Sequence, residues 1–354
     1  MTAHCGFLML GGRFEESIRA GAEAQPLVEA LGLQEQRARL HITLGCARCC
    51  LGDRAGLDEI EAGISVGQSA GAVDMVVNGY LNLSSELHFF ARLEESRRAW
   101  RHAFELGERY GLGLQVRHLR AERAHWAYLD GCWNEAIEIA DELVAAADAG
   151  DPHYSDATLL ALRGWIAFAR GDSAAAERNS KRAVVLASAS DLQAQAATYC
   201  IRAAIALATG RRDEAGELAS ELVAMGPPMV AGLCGPFPEL TDVAWLFRDL
   251  GRPREFTEAV LDADPIKSPW NDAGRSIADG DLARAADIID GIGHPAAAAH
   301  ARLRAAEALA AQDREAEAAA QRAQAETFYR KVGAAAFLRN GAASAGAAAA
   351  SSRR

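Results

Sequence analysis

The chain has 354 residues, half of them hydrophobic and only 6% aromatic. Its 48 acidic and 37 basic residues give a formal net charge of −11, and Arg and Glu alternate along most of the predicted helices. Such a surface repels nucleic acid and anionic membranes unless a basic patch is segregated from the rest, so we expect neither a nucleic-acid partner nor a membrane partner.

Two further features predict a cytoplasmic protein. The N-terminus has neither the basic segment nor the apolar stretch of a signal peptide, and no apolar run approaches the ~20 residues of a transmembrane helix. An odd number of cysteines, seven, without an evenly spaced framework is typical of free thiols in a reducing compartment. These are Cys5, Cys46, Cys49, Cys50, Cys132, Cys200 and Cys234.

Helix-breaking turns followed by a Glu/Ala-rich restart recur along the chain, as in GGRFEES and DGCWNEA. The turn residues follow one another at intervals of 40, 39, 40, 40, 39 and 41, and then of 29 and 32. This period predicts one pair of antiparallel helices per repeat, because Gly ends a helix in the left-handed conformation. The turn residues are Gly12, Gly52, Ala91, Gly131, Gly171, Gly210, Gly251, Gly280 and Gln312.

Small side chains recur at fixed distances from these turns. One column of small residues lies seven residues before each turn. A second column, five residues after each turn, is small in most repeats, but Leu57, Phe256 and Glu317 interrupt it. Two helices cross closely only where one of them presents little side chain, so both columns are predicted to pack between helices. The column seven residues before each turn contains Cys5, Gly45, Ser84, Ala124, Gly164, Ala203, Ala244, Ala273 and Ala305.

The pattern predicts an all-α fold, a right-handed α-solenoid of about nine antiparallel helix pairs. Residues 1–226 would contain six repeats with a period of about 40, and residues 239–340 three shorter ones. Between them lies a loop at 227–238, whose prolines forbid continuous helix. The Ala/Ser-rich tail at 341–354 is predicted to be disordered.

The Gly turn, the small column before it and the Glu-Ala restart resemble the tetratricopeptide repeat, at a longer period than its usual ~34 residues. The elongated form is similar to the MalT-like C-terminal solenoid of large bacterial signalling regulators, which follows a signal-transducing ATPase module. Some of these regulators carry a nucleotide cyclase domain and others a LuxR-type DNA-binding domain. The segment HLRAERAHWAYLDGCWNEAIEIADELVA, from His118, is typical of that group, and FYRKVGAAAFLRNGAASAGA, from Phe328, resembles its cyclase-linked members.

Two catalytic patterns lack the context that their chemistry needs. The overlapping G-x-S-x-G matches, Gly63 to Gly67 and Gly67 to Gly71, fall on a predicted second helix with no strand before them. Cys46, Cys49 and Cys50 resemble part of a zinc cluster, but a structural site takes four ligands, typically from two separated pairs. We expect these cysteines to be small buried side chains, with a lone reactive thiol as the alternative.

His118, Glu122 and His125 lie on one face of a predicted helix. Glu122-x-x-His125 has the spacing of half a di-iron site, but the chain has no second such pair. We therefore expect a charged groove face partnered by neighbouring arginines, and no enzyme built on this cluster. No Gly-Lys-Ser/Thr phosphate loop occurs either.

The sequence predicts a non-catalytic scaffold or sensor that binds a protein, peptide or small ligand in a concave groove. The alternative is a detached or shortened regulatory region of a nucleotide cyclase or LuxR-type regulator, since Met1 falls inside the first helix of a repeat and no polar capping helix lies ahead of it. Trp126 and Trp165 recur near the same phase of successive first helices, either as exposed anchors or as core. We expect no cofactor and no metal. The candidate groove residues are Asn78, Asn82, His118, His125, Trp126 and Trp165.

Overall fold

The computed structural model describes residues 1–188, 192–226 and 237–339, which form helices joined by short turns and contain no β-strand. The predicted all-α solenoid is confirmed, because the helices follow one another as pairs and pack mainly on their neighbours in the chain. Helix α14 begins at Pro253 and continues as π-helix over Thr257–Leu261, and a last helical segment covers residues 335–339. The helices are α1 (Thr2–Leu10), α2 (Phe14–Ala30), α3 (Gln34–Cys50), α4 (Ala55–Ala70), α5 (Val73–Phe89), α6 (Leu93–Tyr110), α7 (Gly113–Leu129), α8 (Trp133–Asp148), α9 (Asp156–Arg170), α10 (Ser173–Ser188), α11 (Leu192–Ala208), α12 (Arg212–Met225), α13 (Leu240–Asp249), α14 (Pro253–Leu261), α15 (Pro269–Asp279), α16 (Leu282–Ile292), α17 (Pro295–Ala310) and α18 (Glu315–Val332).

Two predicted features fall partly or wholly outside these residues. The Pro-rich loop predicted at 227–238 is described only at Phe237 and Pro238, and the ring of Phe237 is buried. The whole Ala/Ser tail, 341–354, lies outside the described residues.

The turn inside each helix pair depends on one residue with a positive φ. Gly131 and Gly171 adopt φ values of 71° and 91°, which glycine tolerates because it has no Cβ. Ala91 adopts the same left-handed conformation at 58°, where its Cβ crowds the following carbonyl oxygen. The chain therefore reverses at regular intervals and stacks its helix pairs.

The register of the last turn differs from the prediction by one residue. The residue with positive φ is Asp313, at 59°, and not Gln312. Counted from Asp313, the fifth following residue is Ala318, which is fully buried, whereas Glu317 is exposed. The small column is therefore continuous here, and its interruption at Glu317 came from the misplaced turn.

The small columns pack against each other inside each pair. The Ser96 hydroxyl donates a hydrogen bond to the carbonyl oxygen of Ser84, at 2.7 Å. A Cβ atom on Gly45 would lie 2.6 Å from the carbonyl oxygen of Gly56, closer than real contacts allow. The two helices of a pair therefore approach nearly to backbone contact, as the columns predicted.

The last three helix pairs lie across the C-terminal ends of the first helices of earlier repeats. The Trp270 indole donates to the carbonyl oxygen of His88, at 2.9 Å, and the Lys331 ammonium donates to that of Asp130, at 3.1 Å. Trp126 joins the same apolar cluster as Trp270. The C-terminal repeats thus share a continuous core with the middle of the chain.

A buried polar cluster joins the two parts of the chain. The Glu239 carboxylate lies 2.6 Å from Nε2 of His88 on α5 and 3.7 Å from Nε2 of His294, which caps α17. Burial lowers the pKa of His294 to about 4, against the attraction of Glu239. It raises the pKa of Asp242, one turn into α13, to about 7.

Candidate functional site: the inner face of the first helices

The first helices of the repeats line the inner side of the solenoid. Helices α3, α5, α7, α9 and α11 pack directly on one another in that order, whereas each second helix packs mainly on the first helices beside it. This arrangement brings equivalent positions of successive repeats side by side. Asn78 and His118 each lie 13 residues before their turn residue, and Asn82 and Glu122 each lie 9 before it.

The C-terminal repeats divide this inner face into a covered and an open part. The covered part consists of the C-terminal ends of α5, α7 and α9, which contact Trp270, Lys331 and Phe337 respectively. The open part consists of the preceding turns of these helices. We call the surface formed by the half-buried Asn78, Asn82 and His118 the open groove.

Three of the six candidate groove residues lie in the covered part and not at an exposed groove surface. Trp126 is buried beneath the guanidinium of Arg97, at 4.6 Å from the ring centroid. Trp165 is buried and donates its indole hydrogen to the Tyr128 hydroxyl at 2.8 Å. His125 is also buried. Because the C-terminal repeats pack over this part of the inner face, both tryptophans are core and not exposed anchors.

The asparagines of α5 form a small polar patch in the open groove. The Asn82 amide donates to the carbonyl oxygen of Asn78 at 2.8 Å, and its side-chain oxygen accepts from the Cys46 thiol at 3.4 Å. Asn78 contacts Asn82 through its own amide oxygen, at 3.2 Å. Both asparagines are half-buried, so neither is sealed inside the core.

On α7 the open groove continues as a row of ionisable side chains. Nε2 of His118 lies 3.3 Å from Oε1 of Glu122, and the His118 ring stacks on Tyr154 with centroids 5.1 Å apart. Oε2 of Glu122 is buried without a hydrogen-bond partner. One turn deeper, His125 stacks on Phe237 at 5.9 Å, and burial lowers the pKa of this histidine to about 4.

The arginines of α7 do not neutralise Glu122, contrary to the expectation that they would partner this row. Arg120 pairs with Glu142 at 2.6 Å. Arg123 pairs with Glu135 at 2.5 Å. Arg117 pairs with Asp151 and Asp156. These acceptors belong to α8, to the segment that joins it to α9 and, for Asp156, to the first residue of α9, so the guanidinium groups are paired outside the row.

The serines of the two G-x-S-x-G matches and the clustered cysteines lie on helices and are not arranged for catalysis. Ser65 and Ser69, of the two G-x-S-x-G matches, are both on helix α4, where the Ser69 hydroxyl donates to the Ser65 carbonyl oxygen at 3.0 Å. Cys46 and Cys50 are buried, and burial raises the pKa of both thiols. The described residues contain no group of three or more side chains arranged to hold a metal ion. They also contain no helix long and apolar enough to cross a membrane.

Sequence reasoning missed several residues around this surface. Tyr154 and Phe237 lie in segments between helices, where no repeat column assigns them a position. The buried carboxyl of Glu86 was missed as well, although it lies one turn from Asn82 on α5. Its position in the repeat could have indicated burial, since Glu86 and the buried Trp126 each lie 5 residues before their turn residue.

Comparison with known proteins places the chain in no family. No family model matches it, and no curated protein matches it. Among solved structures, it is similar to a Rap protein whose crystal structure was determined in complex with Competence and Sporulation Factor. The match covers 97% of this chain and 100% of that one, at 12% sequence identity and a TM-score of 0.45. This likeness is too distant to transfer a ligand or a site.

Proposed function

We propose that the protein is a non-catalytic helical-repeat scaffold or sensor that binds a peptide segment of a partner in the open groove. The observation that carries the proposal is the row of polar side chains on α5 and α7, which continues across two repeats. Asn78, Asn82 and His118 are half-buried there, and Glu122 retains an unpaired carboxylate oxygen. Side-chain amides can pair with the backbone of an extended peptide, and the repeats of a solenoid present such groups along its length.

Selection from a displayed library of random heptapeptides on the intact protein tests this function. The affinity of the selected peptides is then compared between wild type and the double variant Asn82→Ala/His118→Ala. Glu138→Ala, an exposed position on the opposite helix of the fourth pair, serves as the control. We expect the double variant to lose at least about tenfold in affinity, equal to about 1.4 kcal/mol, and the control to bind as wild type does. Selection of no peptide, or equal binding by all three proteins, would contradict the proposal.

A second proposal is that this solenoid regulates a nucleotide cyclase or LuxR-type output module. Six large apolar side chains within the first 33 residues support it, because they are exposed and such side chains can mark contacts with another domain or protein. Co-expression with the ATPase or output module of a neighbouring reading frame, followed by size-exclusion chromatography, provides the test. Co-elution is the expected result, and separate elution would contradict it. The exposed side chains are Met1, Phe7, Leu10, Leu27, Leu31 and Leu33.

A further inference from the structure

Three ionisable side chains on the inner face of α7 become progressively more buried toward its C-terminal end. The side chains of His118 and Glu122 are 18% and 8% exposed, and His125 is 4% exposed. Aromatic rings cover both ends of the row, with Tyr154 on His118 at the outer end and Phe237 on His125 at the inner end. Tyr154 is itself 48% exposed. We call the row formed by these five side chains the α7 slot.

The carboxylate in the middle of the α7 slot is incompletely paired. Oε1 of Glu122 contacts Nε2 of His118, but Oε2 is buried and has no hydrogen-bond partner. Nε2 of His125, one turn further along the same face, is also buried without a partner. A buried carboxylate loses its hydration, and this costs free energy unless hydrogen bonds or ion pairs in the protein compensate for it.

The surrounding charges leave Glu122 available to a cation from outside the chain. The three arginines of α7 are paired with acidic groups of α8, of the segment that follows it and of the first residue of α9. His125 is neutral near pH 7, because burial lowers its pKa to about 4. The described residues also offer no third metal ligand at this position. An organic cation fits this combination, since aromatic faces and a carboxylate attract ammonium and guanidinium groups together.

We propose that Glu122 binds a guanidinium or primary ammonium group of the groove ligand, which replaces His118 as the partner of the carboxylate. The proposal rests on the groove function proposed above and adds the chemical class that the groove selects. His118 is the outermost and most exposed member of the row, so rotation of its ring away from Glu122 opens the path to the carboxylate. The cation comes either from an Arg or Lys side chain of a peptide or from a free amine such as agmatine.

The experiment compares peptide selection by the wild-type chain and by Glu122→Gln. Gln keeps the shape of the side chain and removes its buried charge, so this variant is expected to fold with at least wild-type stability, checked by thermal unfolding. The matched control is Glu86→Gln, a second buried glutamate with an unpaired oxygen, whose carboxyl is mostly protonated at pH 7 because burial raises its pKa to about 8. A capped pentapeptide library is selected on each protein, and agmatine is titrated separately by calorimetry.

Wild type and Glu86→Gln are expected to enrich Arg or Lys at one library position, and Glu122→Gln is expected to lose this enrichment and at least about tenfold in affinity. Binding of agmatine that depends on Glu122, without any selected peptide, would assign the cation to a free amine and still support the proposal. Selected peptides without a basic residue would overturn it while leaving the groove function intact. Failure of the library and of agmatine alike would overturn both.

Discussion

Three ionisable groups, Glu86, His125 and His300, are mostly neutral near pH 7 because burial dominates their surroundings. Burial raises the pKa of Glu86 to about 8 and lowers the pKa of His125 and His300 to about 4. A neutral group leaves water at a much lower cost than a charged one. The described core can therefore contain many titratable side chains while few of them remain charged and unpaired.

Glu86→Gln tests this at the residue scale. The folded state holds the Glu86 carboxyl protonated to about pH 8, whereas in the unfolded chain it ionises near its ordinary pKa of 4.5. Its contribution to stability is therefore complete below pH 4.5 and is lost as the pH rises toward 8. At about 1.4 kcal/mol per pKa unit, the loss is on the order of 5 kcal/mol.

Urea denaturation of wild type and Glu86→Gln at pH 5 and pH 8.5 measures this difference. We expect the free energy of unfolding of the variant, relative to that of wild type, to be higher at pH 8.5 than at pH 5. The exposed control Glu138→Gln is expected to show no such change. A difference that stays constant with pH would mean that Glu86 does not titrate as described.

At the scale of the element, the spacing between the two helices of a pair depends on single small residues. Gly45 and Gly164 occupy the same column, but they leave different amounts of space. A Cβ on Gly45 would lie 2.6 Å from the Gly56 carbonyl oxygen, whereas the nearest atom to one on Gly164 is the Ser180 nitrogen at 3.2 Å. The same substitution therefore has a different consequence in the two pairs.

Gly45→Ala is expected to destabilise the protein by about 1–3 kcal/mol, because α3 and α4 must move apart. Gly164→Ala is expected to lie within about 1 kcal/mol of wild type, since the higher helix propensity of Ala offsets a milder contact. Midpoints of urea denaturation provide the measurement. Equal losses in the two variants would contradict the packing described for this column.

Ala91→Gly tests the turns between paired helices. Ala91 is left-handed, at a φ of 58°, and removal of its Cβ relieves a strain of about 1–2 kcal/mol. We expect the variant to unfold at a higher urea concentration than wild type. The reverse change, Gly210→Ala, places a Cβ at a φ of 84° with no atom within 4 Å, so a loss there would come from the backbone alone. Destabilisation by Ala91→Gly would show that this turn is not strained.

The sequence predicts the repeats well because each turn and each small column follows from contacts between residues close in the chain. The Gly131 turn and the Ala124 packing position could be predicted from the repeat period and from the preference of left-handed positions for glycine. The same reasoning failed at Gln312, since neither it nor Asp313 is a glycine. Which part of the inner face stays open could not be predicted, because contacts such as Trp270 with His88, 182 residues apart, have no repeat pattern.

At the scale of the whole molecule, the C-terminal repeats determine which part of the groove a ligand can reach. They cover the C-terminal ends of α5, α7 and α9 through Trp270, Lys331 and Phe337. The contacts are mostly apolar and belong to the main core, so they provide stability as well as shape. The open groove is therefore the part of the inner face that lies beyond these contacts.

Carbodiimide cross-linking tests this closure, because the chain has only three lysines. Lys331 donates to the Asp130 carbonyl oxygen at 3.1 Å, which brings its side chain to the residue whose carboxylate pairs with Arg97. We expect mass spectrometry to find a link from Lys331 to Asp130, absent in Lys331→Arg. Lys181, which lies 2.9 Å from Glu177 within α10, provides the local reference link. Links from Lys331 to its own helix alone would contradict the closed arrangement.

Hydrogen exchange of the intact chain, with and without a peptide selected on it, tests the central claim most directly. The account predicts slower amide exchange in residues 75–82, 113–122 and 153–158, which form the open groove and its mouth, and little change elsewhere. Slower exchange confined to α1 and α2 or to the outer helices, with these three segments unchanged, would contradict it.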